Sequence, residues 1–180
     1  MYHPKNKNDE WYTLPYAVIP LLKYLKPNSK ILCPFDKKNS AYVKTLKDSG
    51  HDVNFSHIDD QQDFFDYELE TIQPYDYIIS NPPYSIRKQV FEKLEELKKP
   101  FAMLVPLVSI ALKPIREKIS DKELLIFNKR IKFISAEGMI CKNPPSETAY
   151  ICKKILPKQI IFEKLEEELV QRGSREDKID

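Results

Sequence analysis

Apolar residues along this chain fall into two alternating patterns. Short, mostly apolar runs occur at Ile31-Leu32-Cys33-Pro34-Phe35, Val53-Asn54-Phe55, Tyr77-Ile78-Ile79-Ser80 and Phe101-Ala102-Met103-Leu104-Val105. Their length and flanking turn residues read as buried strands. Between them, apolar positions recur at helical spacing: Val18, Leu21, Leu22 and Leu25, then Tyr42, Val43 and Leu46, then Ile86, Val90, Leu94 and Leu97. Trp11-Tyr12-Thr13-Leu14-Pro15 leads into the first helix, with Thr13 and Pro15 as its start and Pro20 as a kink. The second helix occupies residues 40–49 and Gly50 stops it. Lys98-Lys99-Pro100 ends the third, and Pro106 ends the fourth strand. Beyond it the pattern weakens. Residues 131–135 and 148–152 read as strands, 160–162 as another, and 163–171 as a final amphipathic helix. Residues 1–9 read as loose. The order strand, helix, strand, loop, strand, helix, strand predicts an α/β fold, with a mostly parallel central sheet and helices on both faces. One domain over residues 1–172 is expected, with 107–147 as a small substrate-recognition region and 173–180 as a disordered tail.

Composition narrows the class. The 180 residues are 42% hydrophobic and 31% charged, which suits a globular protein with a sizeable core. No apolar run reaches the length of a bilayer span, and the amino terminus lacks a secretory signal, so no membrane partner is expected. The 3 cysteines, Cys33, Cys141 and Cys152, are odd in number and widely spaced. They predict free thiols in a reducing cytoplasm and no metal site. The net charge of +2 hides an asymmetry. Residues 59–76 hold seven acids and no base, whereas residues 87–158 hold sixteen Lys or Arg against eight Asp or Glu. A basic second half points to a polyanionic partner, with Arg87, Lys113, Arg116, Lys129, Arg130 and Lys132 as the nucleic-acid-binding candidates. Taken singly, each reads equally as an ordinary surface charge.

Candidate chemistry sits where the third strand ends. Asp76-Tyr77-Ile78-Ile79-Ser80 runs directly into Asn81-Pro82-Pro83-Tyr84, and a helix follows. The two prolines fix the backbone and remove two N–H donors. An amide oxygen and backbone carbonyls remain as acceptors for a flat exocyclic amine, and the tyrosine ring offers a stacking face. Asn143-Pro144-Pro145-Ser146 repeats the letters without a preceding strand or a following aromatic, and reads as a loop.

In that setting, residues 76–84 resemble the catalytic motif of amino-group methyltransferases that use S-adenosylmethionine, most closely the N6-adenine DNA methyltransferases. Asp9-Glu10-Trp11-Tyr12-Thr13 is similar to the amino-terminal motif of the phage-type adenine enzymes, with Leu14 in place of a proline. Cys33-Pro34-Phe35-Asp36, Ser56-His57-Ile58 and the stretch 150–162 resemble a branch related to EcoRI-type adenine methyltransferases. The likeness runs from about residue 9 to residue 162.

The resemblance implies a Rossmann-like methyltransferase fold, S-adenosylmethionine as cofactor and DNA as partner. It makes Asn81, Pro82, Pro83 and Tyr84 the catalytic set. Asn81 and the carbonyl of Pro82 accept from the target amine, and Tyr84 stacks on its ring. It places the cofactor against Trp11, Thr13, Cys33, Pro34, Phe35, Asp36, His57, Asp63 and Phe64. Asp63 and Phe64 are the acid-aromatic pair for the cofactor's adenine. Three features depart from the pattern. Cys33 stands where the family has an acid, Asp36-Lys37-Lys38-Asn39 replaces glycines, and Ser56-His57 replaces the acid after the second strand. Asp36 is then the local acid for the ligand's cationic groups. Plainer roles remain open for Trp11 as a staple, His57 as a loop residue and Cys33 as core. The function expected is methyl transfer to N6 of adenine in DNA. Alternatives are another planar amine, in RNA or on a protein glutamine, and a silent nucleic-acid-binding relative. Sequence selectivity would be weak, or would come from a homo-oligomer or a separate recognition partner.

Overall fold

The computed structural model describes residues 11–135, 138–141 and 146–165. The expectations for residues 1–9, for Asn143-Pro144-Pro145, for the final helix past residue 165 and for the tail lie outside them.

Seven strands form the central sheet. In chain order they are β2 (Lys30–Pro34), β3 (Asp52–Ser56), β4 (Tyr77–Ser80), β5 (Phe101–Pro106), β6 (Glu123–Phe127), β9 (Thr148–Lys153) and β10 (Ile160–Glu163). Their spatial order is β10-β6-β9-β5-β4-β2-β3. All pairings are parallel except those of β9, which runs antiparallel to both β5 and β6. Strands β1 (Trp11–Thr13), β7 (Phe133–Ser135) and β8 (Ile140–Cys141) make a separate small antiparallel sheet.

Side chains alternate across the central sheet and build two cores. Ile31 and Cys33 of β2, Tyr77 and Ile79 of β4, Ala102 and Leu104 of β5, and Tyr150 and Cys152 of β9 face helices α1 (Pro15–Leu22) and α2 (Ala41–Asp48). Leu32, Ile78, Phe101, Met103, Val105 and Ile151 face the other way, towards α3 (Leu69–Ile72), α4 (Arg87–Leu97) and α5 (Lys113–Arg116). This is the doubly covered parallel arrangement that the uninterrupted apolar runs require. Each such fully buried aliphatic side chain stabilises the fold by roughly 1.5–3 kcal/mol.

Local signals set the ends of the elements. Ser40 caps α2 by accepting from the Val43 N–H at 3.3 Å, and Gly50 follows it with φ +87°. Pro15 occupies the first turn of α1, where its missing N–H costs nothing.

The structure corrects several expectations. Trp11–Thr13 is a strand paired with β7, because its partner lies 120 residues downstream and leaves no local signature. Residues 131–135 yield only the three-residue β7, which joins the small sheet and not the central one. Strand β6 was not expected, since its half-buried residues give neither period cleanly. Glu163 closes β10 and does not start a helix. Part of the stretch 107–147 is committed to the central sheet through β6, and Ile115 and Ile131 are core residues.

Candidate active site

The carboxyl ends of β2, β3 and β4 open onto one cleft, as expected of a sheet of this kind. Its walls include Trp11, Thr13, Phe35, Asp36, His57, Asp63, Phe64, Asn81, Pro82, Pro83 and Tyr84. Residues far apart in the chain are thus brought together as the sequence predicts, with two exceptions. Cys33 is fully buried on the α1–α2 side of the sheet, and burial pushes its thiol well above its ordinary pKa. Pro34 is also buried and contributes only its carbonyl, which accepts from the Ser80 hydroxyl.

β2 leaves the sheet through Phe35, whose φ of +72° is left-handed. The turn is one that a glycine would adopt freely, and a phenylalanine there stores on the order of 1–3 kcal/mol of strain. The glycine-free loop therefore makes the sharp turn without a glycine. It sends the Phe35 ring edge-on against Phe64, with centroids 5.1 Å apart. Phe64 in turn meets Phe65 at 5.8 Å, so three rings form one apolar wall. Asp63 holds this wall by accepting from the Phe65 N–H at 3.0 Å.

After Phe35 the chain turns Asp36 inward. Its N–H donates to the Ser56 carbonyl at 3.2 Å, which ties the loop to the end of β3. Asp36 is 7% exposed, and its carboxylate accepts from the Ser80 hydroxyl at 2.5 Å. Burial raises its pKa from 3.8 to about 7, opposed by bonds from Ser80 and Ser40. His57 caps the turn after β3, with Nδ1 accepting from the Asp59 N–H at 3.1 Å. Asp59 itself pairs with Lys37 at 2.6 Å, and that bond to Lys37 holds its carboxyl below the ordinary range. The acid beyond the second strand is therefore tied to a loop lysine.

β4 ends in Ser80 and passes into Asn81-Pro82-Pro83, then a single 3-10 turn at Tyr84–Ile86, then α4. The Asn81 amide nitrogen donates to the Trp11 carbonyl at 3.1 Å. A carbonyl can only accept, so this bond fixes which end of the amide is nitrogen. The other end, Oδ1, is buried and has no hydrogen-bond partner among the described residues. Thr13 Oγ1, on the same wall, is likewise buried without a hydrogen bond. Buried polar atoms are normally satisfied, so two orphans in one cleft mark where a ligand's polar groups belong. The Arg87 guanidinium donates to the Tyr84 carbonyl at 2.5 Å and clamps the motif to the start of α4.

The predicted basic cluster does not stay together. Lys113 and Arg116 sit on α5, whose Ile115 packs in the α4-side core. Lys129, Arg130 and Lys132 flank Ile131, which packs in the opposite core. Lys113 lies 3.9 Å from Glu117, Arg130 pairs with Glu147 at 2.6 Å, and the Lys132 N–H donates to the Tyr16 hydroxyl at 2.7 Å. Residues the sequence did not single out are Ser40, Ser80 and the carbonyl of Trp11. Ser80 had a signal, a hydroxyl closing a fully apolar strand. A backbone carbonyl has none.

No protein-family model and no curated protein matches the chain. Solved structures do. A predicted O-methyltransferase from Agrobacterium tumefaciens aligns over 84% of this chain and 86% of its own, at 11% identity and a TM-score of 0.50. A type I restriction-modification methyltransferase subunit from Streptococcus thermophilus aligns over 99% of this chain, at 13% identity and a TM-score of 0.50. The chain spans about half of that subunit, 52%. At such identities the likeness concerns the fold, which is Rossmann-like and of the methyltransferase type.

Proposed function

We propose that this protein transfers a methyl group from S-adenosylmethionine to a planar exocyclic amine, N6 of adenine in DNA. The observation that carries the reading is the Asn81 amide, anchored through its nitrogen to Trp11 and left with an unpartnered acceptor in the cleft.

The residues present fit the cofactor. The Phe35–Phe64–Phe65 wall suits its adenine, Asp63 stands beside that wall, and Asp36 is the buried acid within the same cleft. When bound, the cofactor supplies an electrophilic methyl group on a sulfonium. The protein's own task is then positioning. An aryl amine is a poor nucleophile because its lone pair is delocalised into the ring. Acceptance of its two hydrogens by Asn81 Oδ1 and the Pro82 carbonyl would favour a pyramidal nitrogen with its lone pair withdrawn from the ring, and the amine's proton leaves to solvent after transfer. Each such bond contributes on the order of 1 kcal/mol net. Alignment of two reactants is worth roughly 7 kcal/mol or more. A base inside a duplex cannot reach the cleft and must flip out, at a cost of a few kcal/mol that stacking on Tyr84 offsets.

The pocket chemistry alone also accommodates an RNA base or a protein glutamine. The basic excess of the second half favours a polyanion. The discriminating experiment offers duplex DNA, single-stranded DNA, RNA and a cell protein extract in parallel, with labelled methyl donor. N6-methyladenine in digested DNA, lost in Asn81→Ala, is the expected result. Label on protein alone would move the reading to glutamine, and label on nothing would leave a silent relative.

A further inference from the structure

We propose that Val108 and Ile110 form an apolar lip that packs into the stack of a DNA duplex beside the target base and fills the place that the base leaves. The inference deepens the methyl-transfer reading and rests on it for the identity of the target.

The carrying observation is a turn whose polarity is inverted. β5 ends at Pro106, and the 3-10 segment Leu107–Ala111 follows it. Within that segment Ser109 is wholly buried, while Val108 is 65% exposed and Ile110 36%. The Ser109 hydroxyl has no hydrogen-bond partner among the described residues. The isolated fold gains nothing from such an exchange. Burying an unpaired hydroxyl costs free energy, and two branched aliphatic side chains left in water forgo what their burial would contribute. An exposed apolar pair beside a buried orphan hydroxyl is a local conflict of the kind that marks a functional surface.

Position selects the partner. β5 lies beside β4 and parallel to it, with Met103 opposite Ser80. The lip therefore leaves the sheet on the same edge as Asn81, one strand away. Tyr84 lines the cleft, and Val108 and Ile110 do not. They stand outside it, on the side where the neighbours of an extruded base remain. Positive charge follows close behind, since Lys113 and Arg116 are both exposed on α5. Aliphatic side chains backed by cations suit a partner with flat apolar faces on an anionic backbone. An opened nucleic-acid duplex has both, and aliphatic wedges enter its unstacked base steps.

A wedge has to be stiff, and this one is tied at both ends. The Leu107 N–H donates to the Glu147 carbonyl at 2.8 Å, and the Leu112 N–H to the Ser109 carbonyl at 3.0 Å. Pro106 precedes the segment and Pro114 follows it. Leu112 and Ile115 pack into the α4-side core. The two exposed side chains are thus carried on a fixed base.

The test uses native and heat-denatured genomic DNA from one preparation, which carry the same sequences, with labelled S-adenosylmethionine. A single strand has no paired stack to open, so the lip matters for the duplex alone. Val108→Ser combined with Ile110→Ser is expected to slow N6-methyladenine formation in native DNA about tenfold or more, and in denatured DNA less than about twofold. Val108→Leu combined with Ile110→Leu should restore the rate on native DNA, because the lip needs apolar surface and not these two residues. Calorimetry with S-adenosylhomocysteine, expected to be unchanged, shows that the serine protein is folded. Should it not fold, Val108→Ser alone carries the same comparison. Equal losses on the two DNAs overturn the proposal, as does a leucine protein that fails to recover. No loss on either DNA also overturns it, and is the outcome if the lip serves a protein partner. Wild-type activity on denatured DNA alone removes the inference and leaves the methyl-transfer reading standing. Activity on neither removes DNA as the substrate, and the inference with it.

Discussion

Asn81 has two ends to its amide, and the Trp11 carbonyl holds the nitrogen; on the proposed reading the oxygen is the end that meets the target amine. The bond at 3.1 Å restricts the side chain's rotation. Asn81→Ala is therefore expected to abolish methyl transfer while changing affinity for S-adenosylhomocysteine less than about twofold, since the contact is to the target amine. Calorimetry beside a transfer assay separates the two, and retained transfer would show that the amine is held elsewhere. Tyr84→Ala should weaken capture of the target by ~1–3 kcal/mol, the scale of one base-aromatic stack. Asp36 carries a different signature. Folding raises its pKa from 3.8 to about 7, so it costs no stability below the lower value. The cost grows as pH rises and is complete above the higher one, at a few kcal/mol. Asp36→Asn should accordingly raise the melting temperature at pH 8 and not near pH 4. At this scale the sequence was informative about several side chains that line the cleft and missed the Ser40 and Ser80 hydroxyls. Asn81, Tyr84, Phe35 and Phe64 all reach the cleft as expected. It was silent on the Trp11 carbonyl and misplaced Cys33, because which face of a strand a residue takes depends on register, not on identity.

Helix α4 ties two functions into one element. Its first turn receives the motif, with the Arg87 guanidinium on the Tyr84 carbonyl. Its far half presents Glu95, which meets Lys118 at 2.9 Å, Lys122 at 3.0 Å and Lys153 at 2.9 Å. Lys122 is fully buried, and it also contacts Asp121. Burial works against the Glu95 charge, but the bonds to Lys118, Lys153 and Lys122 hold its carboxyl below the ordinary range. Removing Glu95 leaves the buried Lys122 ammonium with Asp121 as its remaining carboxylate. Glu95→Ala is thus expected to cost about 1–3 kcal/mol, less than a wholly unpaired charge would, measured by urea denaturation, while ligand affinity at the far end stays unchanged. A loss of affinity equal to the loss of stability would show that the network positions the motif too. The strands β2, β4 and β5 were legible because each is buried on both faces and reads as a plain apolar run. β6 begins at half-buried Glu123, whose carboxylate caps the Lys154, Ile155 and Leu156 N–H groups. Its polarity is explained only by a loop more than thirty residues away, so pattern alone could not show it.

At the scale of the whole molecule the two ends of the sheet do different work. The carboxyl edge of β2, β3 and β4 opens the cleft, and the Glu95 network lies near the opposite edge, where Lys153 pairs across from Phe101 at the start of β5. Of the positive charges that suggest nucleic acid, Arg87 sits at the cleft, Lys113 and Arg116 flank Ile115 of one core, and Lys129, Arg130 and Lys132 flank Ile131 of the other. That division changes what each should contribute. Arg116 is exposed on α5, and the field it projects is available to a phosphate. Arg130 is matched by Glu147 at 2.6 Å, so removing it takes away little net field. Duplex affinity, followed by fluorescence anisotropy between about 50 and 200 mM salt, should fall steeply as counterions compete. Arg116→Ala should reduce the slope of log affinity against log salt by about 1. Arg130→Ala should leave it nearly unchanged. If both substitutions flatten the slope equally, the duplex must wrap both faces, and the Arg130–Glu147 pair opens on binding. If no DNA binds even at low salt, the basic half is ordinary surface, and the amine that Asn81 awaits belongs to a protein or a small molecule.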